Sequence, residues 1–214
     1  MTKLFNFESP LIRFLSRLGD LMILNLLFLL TSVPLVTIGA SWTALYCVTL
    51  KMVREEEGSI PGSFFRSFRQ NFRQATLLWL GVLALAALLV LDLWVLRGAA
   101  GTSAEIMRTC ILLLGLLLLM VLQYLFPGLA RFDASIKDTV RNACLLALGN
   151  LPKTALMTAA ALGTVYLSCL SNLTISVSMA LFLLLGFSLL ALGNSAILVK
   201  LLDPCLPKQP PDPS

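Results

Sequence analysis

The chain has 214 residues, of which 58% are hydrophobic and 13% charged, with a mean hydropathy of +0.90. That composition excludes an ordinary soluble domain and leaves room for one membrane bundle. The net charge of +5 does not point to a nucleic-acid partner, because the basic residues stand in short blocks between apolar runs, as they do on the cytoplasmic flanks of membrane helices.

Residues 1–17 mix Lys3, Arg13 and Arg17 with apolar side chains, and Ser9-Pro10 predicts the start of a short interfacial helix reaching about Leu18. An apolar region follows, broken at Val33-Pro-Leu-Val-Thr-Ile-Gly39. Unbroken, it would be about 50 Å long, against a hydrocarbon core near 30 Å. Pro34 and Gly39 therefore predict a hairpin over residues 20–53, with two short arms of about 14 residues each.

The densest charge in the chain comes next, in KMVREEEGSIPGSFFRSFRQNFRQ. Its second half predicts an amphipathic interfacial helix over 62–74. Phe64, Phe65, Phe68 and Phe72 fall on one side and Arg66, Arg69 and Arg73 on another, the pattern of a helix lying among anionic lipid headgroups. The alternative is a helix whose Phe face packs on its own bundle.

Four crossings are expected at 75–96, 105–126, 154–170 and 174–199. Pro127-Gly128 can kink or end the second of these. A basic block from Arg131 to Lys153 separates it from the third. Within that block Ile136, Val140, Ala143, Cys144 and Ala147 share a helical face, Asp133 or Ser135 can cap the start, and Gly149-Asn150 with Pro152 closes it. Residues 1–202 thus read as a single all-α, polytopic transmembrane domain, and 203–214, with five prolines, as a disordered tail.

Charge selects the topology. Fourteen of the sixteen Lys/Arg fall on one side only if residues 20–53 enter and leave on the same side, which places both termini in the cytoplasm.

Catalytic chemistry finds little support. There is no histidine, so Ser-His-Asp and Cys-His pairs are impossible, and the five cysteines form no CxxC pair, which argues against a metal site. Nucleotide-binding glycine motifs are absent as well. The expectation is a non-enzymatic protein without a cofactor.

Polar residues at membrane depth are the better lead, because burial there is costly. Asn25, Thr31, Ser32, Pro34, Thr37, Gly39, Ser41, Asp92 and Gln123 form the candidate binding set, with Thr43 and Asn194 as further polar positions. The competing reading is structural: Ser and Thr bond to their own helix backbone, and Asn25 and Gln123 join helices.

At Pro34-Leu-Val-Thr-Ile-Gly39-Ala-Ser, the Phe/Arg segment at 64–73 and Ala130-Arg-Phe-Asp133, the chain resembles the YesL-like family of small bacterial integral membrane proteins, a domain of unknown function. The resemblance runs from Phe5 to about Leu202. It implies a bacterial plasma-membrane protein, with carbohydrate ATP-binding-cassette importer subunits as possible partners. It supplies no catalytic residues. The functions left open are an accessory or assembly factor for carbohydrate uptake and a small transporter or channel with a polar site at 31–43.

Overall fold

A computed structural model of the chain describes residues 10–56, 58–132, 134–169 and 172–202. The tail at 203–214, the residues before Pro10, and Asp133 as a cap lie outside the described residues. All described secondary structure is helical. The elements are α1 (Pro10–Ser32), α2 (Ile38–Val53), α3 (Ile60–Val95), α4 (Thr102–Arg131), α5 (Ile136–Gly149), α6 (Leu151–Ser168), α7 (Asn172–Leu181) and α8 (Phe187–Leu202). A single turn of 3-10 helix, Leu35–Thr37, links α1 to α2, and a five-residue π-helical segment, Phe182–Gly186, joins α7 to α8.

The break between α1 and α2 falls where Pro34 removes a backbone donor. Thr37 closes the turn, its N–H donating to Pro34 O at 2.9 Å. The two helices run antiparallel, because the Arg17 guanidinium reaches the Glu55 carboxylate at 3.0 Å at the end opposite the turn. α1 begins ten residues before the expected arm, at Pro10, so the short interfacial helix and the first arm are one continuous element.

The largest departure from the sequence reading is α3. Residues 62–74 are not a separate interfacial helix, because one helix of 36 residues runs through them and through the expected crossing at 75–96. Between Gly62 and Gly81 nothing interrupts the hydrogen-bond ladder, so the Phe/Arg segment cannot lie flat while its continuation crosses a bilayer. At 1.5 Å per residue α3 is about 54 Å long, against a hydrocarbon core of about 30 Å. α4 likewise continues through Pro127 to Arg131, a tolerance that membrane helices extend to proline.

Burial is concentrated at one end of the bundle. On α3 the buried residues are Phe64, Ser67, Ala75 and Leu78, all in its first half. On α4 they are Tyr124 to Pro127 and Leu129 near its end, apart from Ala104. On α6 they are Thr154, Met157 and Thr158 near its start. α2 is the axis of this core, with every residue from Gly39 to Leu50 except Trp42 and Cys47 buried. Phe28, Trp42 and Phe187 interlock beside it, with Phe28 5.1 Å from each of the other two rings. The far halves of α3 and α4 expose Leu88, Val90, Leu91, Leu112 and Leu113. Leucine exposed on so large a scale is a lipid-facing surface.

Five helical segments among the described residues are long and apolar enough to cross a membrane, and the pair α5–α6 qualifies jointly but bends by 97° at its junction. Ser135 caps α5, accepting from Asp138 N, and the helix ends at Gly149. Its buried face is Thr139, Ala143 and Ala147; Ile136 and Val140, expected on that face, are each 38% exposed. The 97° turn lays α5 across the end of the bundle, so its apolar side is shared between α4 and the surroundings.

Candidate functional site: the hairpin and its buried polar contacts

α2 and α3 pack closely at Gly39. A Cβ on this residue would lie 2.6 Å from Trp79 Cβ and 2.7 Å from Ala75 O, so only glycine fits. One turn away, the Trp79 indole N–H donates to Leu35 O at 2.8 Å and satisfies a carbonyl of the irregular turn. The turn is thus tied to α3 where its basic stretch gives way to apolar sequence. Val33 and Leu35, at the tip of the hairpin, remain 78% and 73% exposed.

The hydroxyls predicted to line a pocket at this turn have backbone partners. Thr31 Oγ1 donates to Leu27 O (2.9 Å), Thr37 Oγ1 to Thr31 O (2.6 Å) and Pro34 O (2.7 Å), and Ser41 Oγ to Thr37 O (3.1 Å). Thr43 does the same with Gly39 O at 2.9 Å. Thr37 ties the end of α1 to the start of the turn and so sets the angle of the hairpin. Ser32 Oγ is buried without a protein partner among the described residues.

Asn25 is fully buried, and its amide bridges α1 to the π-helical segment. Nδ2 donates to Phe182 O (3.0 Å) and Leu183 O (2.8 Å), while Oδ1 accepts the Ser188 N–H at 3.1 Å. A π turn displaces backbone groups from the regular i→i−4 pattern, and Asn25, with two donors and an acceptor, meets that need. Gln123 does similar work between α4 and α6, donating to Thr158 Oγ1 at 2.6 Å. Asp92 stands apart, exposed near the far end of α3, about 20 Å along the axis from Trp79. The structure does not bring it to the hairpin.

Other contacts were not legible beforehand. Thr49 and Ser195 share a buried hydroxyl pair at 2.8 Å, Asn194 Nδ2 reaches Tyr46 Oη at 3.3 Å, and Tyr124 Oη meets Thr154 Oγ1 at 2.8 Å. Their partners lie 146, 148 and 30 residues apart. Small polar residues at helical spacing were the available signal, but pairing them needed the tertiary fold. Among the described residues no group of three or more His, Cys, Asp or Glu is placed to hold a metal.

For the lipid-contacting set, Phe64 requires correction. It is 0% exposed and faces α2, because it shares a helix face with Ser67, Ala75 and Leu78. Phe65 takes its place on the surface, at 50% exposure, beside half-buried Phe68, exposed Phe72 and exposed Arg66, Arg69 and Arg73.

The fold and its contacts define a multi-pass, all-helical membrane protein built on a helical hairpin, each arm of which holds an apolar stretch of 19 residues, longer than the 14 expected. A family model described as "Protein of unknown function, DUF624" matches residues 21–93, which span the hairpin and nearly all of α3. The chain is also 26% identical over 152 residues to the uncharacterized protein YesL of Bacillus subtilis (strain 168), covering 71% of each chain. The resemblance read from the sequence is borne out as a similarity to YesL over 71% of the chain. No solved structure matches it significantly.

Proposed function

We propose that the protein is a non-enzymatic accessory or assembly factor of a bacterial plasma membrane, acting beside the membrane subunits of a carbohydrate ATP-binding-cassette importer, with both termini cytoplasmic. The observation that carries this reading is the disposition of the buried polar groups. The Thr31, Thr37, Ser41 and Thr43 hydroxyls bond to nearby backbone, and Asn25, Gln123, Asn194 and Tyr124 join one helix to another. Such contacts stabilise a packed membrane scaffold by about 0.6 kcal/mol each. They are ill suited to a solute, which would have to displace them. The importer as partner rests on the family resemblance and on the extent of exposed apolar helix, which offers area for a neighbouring membrane protein.

Purification of the tagged chain from its native host in a gentle detergent, read by mass spectrometry, tests the proposal. Co-purification of importer membrane subunits, with or without sugar, is expected. A chain that emerges without them and drives sugar flux in liposomes overturns the proposal in favour of a transporter.

A further inference from the structure

Three consecutive Phe-Arg pairs mark the first half of α3: Phe65-Arg66, Phe68-Arg69 and Phe72-Arg73. The spacing i, i+3, i+7 sorts them into an aromatic stripe and a basic stripe on adjoining faces. All three arginines are exposed, and among the described residues none pairs with a carboxylate. Between the stripes runs a shallow groove of ≈ 530 Å³, lined by Phe65, Phe68, Arg69, Gln70, Phe72 and Arg73.

Two further observations set its surroundings. α2 runs antiparallel to both neighbours, with Glu55 beside Arg17 at one end and Gly39 against Ala75 at the other. The arginines therefore lie between the same two levels as Ile23, Leu26 and Leu30, the exposed apolar face of α1. Beside that exposed apolar face of α1, α3 presents guanidinium groups, a juxtaposition of positive charge and apolar surface that suits the headgroup boundary of a bilayer. The basic stripe also continues one and two turns beyond Arg73 as Leu77 and Leu80, 60% and 43% exposed. Charge at one end of a groove that runs on as apolar surface fits an anionic amphiphile. An acidic soluble partner would gain nothing from Leu77 and Leu80.

We propose that this groove is a binding site for an anionic phospholipid, with the phosphodiester held between Arg69 and Arg73 and the acyl chains laid along Leu77 and Leu80. Arginine suits the role because its planar fork donates two hydrogen bonds to one phosphate.

The test uses the full-length protein in detergent, stripped of lipid and titrated with phosphatidylglycerol or phosphatidylcholine of identical chains, with bound lipid counted by native mass spectrometry. Wild type is expected to prefer phosphatidylglycerol by about tenfold or more, and the combined variant R66Q, R69Q and R73Q to bind the two lipids about equally. The matching Lys variant is expected to keep most of the preference, and excess glycerol 3-phosphate to leave the lipid bound. Equal affinity of wild type for the two lipids overturns the proposal even if the Gln variant fails to fold. So does an unchanged preference in a folded Gln variant. Displacement by glycerol 3-phosphate, or by a glutamate-rich peptide, also overturns it and assigns the groove to a soluble anion or a protein.

Discussion

The side-chain carbonyl of Asn25 accepts the backbone N–H of Ser188 at 3.1 Å, across 163 residues of sequence. Together with the two bonds from Nδ2 to Phe182 and Leu183 it stitches the first helix to the π turn that precedes the last. Substitution by Leu keeps the branch at Cγ, adds volume and removes all three bonds. Asn25→Leu is expected to lower stability by about 1–3 kcal/mol, the cost of leaving buried backbone groups without partners. Unfolding in mixed detergent, followed by tryptophan fluorescence, checks this; unchanged stability would falsify the bridging role.

Gly39 is the second point of failure. A methyl group there meets Trp79 Cβ and a backbone oxygen of α3, and the backbone cannot swing aside as a side-chain tip can. Gly39→Ala is expected to cost about 1–3 kcal/mol through forced separation of α2 and α3. Because Trp79 bonds to Leu35 O, the same variant is expected to shift the indole emission. A variant with native stability and native emission would show that the helices are not held at this contact.

The hairpin hydroxyls separate by partner. The Thr37 hydroxyl shares its one proton between two carbonyls within reach at the turn, so Thr37→Val is expected to destabilise by about 0.5–1.5 kcal/mol. Ser32 Oγ has no such partner, and Ser32→Ala is expected to be neutral or stabilising. Both variants are expected to retain their associated proteins in the pull-down. Loss of function in Ser32→Ala at unchanged stability would return the turn to the status of a ligand site.

Much of this architecture was legible, and for identifiable reasons. Pro34 and Gly39 mark the hairpin because a missing donor and a missing Cβ act locally. Ser135 and Gly149 bound α5 for the same reason. Asn25 stood out as a lone amide in an apolar run, although its partner, the π segment, leaves no sequence signature. The flat interfacial helix was misread because a change of composition at Ala75 does not require a break in the backbone, and α3 simply carries both compositions. Phe64 and Phe65 could not be told apart either. Which of two adjacent phenylalanines faces inward depends on the rotation of α3 about its axis, set here by Gly39, Ala75 and Leu78.

The topology follows from the same contacts. Arg17 and Glu55 meet at one end of the hairpin, so cysteines placed at 17 and 55 in a cysteine-free background are expected to react from the same side of sealed membrane vesicles. The distribution of basic residues predicts that this side is the cytoplasmic one. Reaction of the two positions from opposite sides would mean that residues 20–53 cross the membrane once.

The claim on which the account turns is that the hairpin is a structural element closed to water, not a solute site. A scan of single cysteines from 31 to 43 in the cysteine-free chain, exposed to a charged, membrane-impermeant thiol reagent, measures this directly. Positions 41 and 43 are buried against neighbouring helices, so both are expected to stay unmodified from either side, with or without sugar. Modification at 41 or 43, relieved by a sugar, would contradict the account and identify a wet, ligand-occupied cavity.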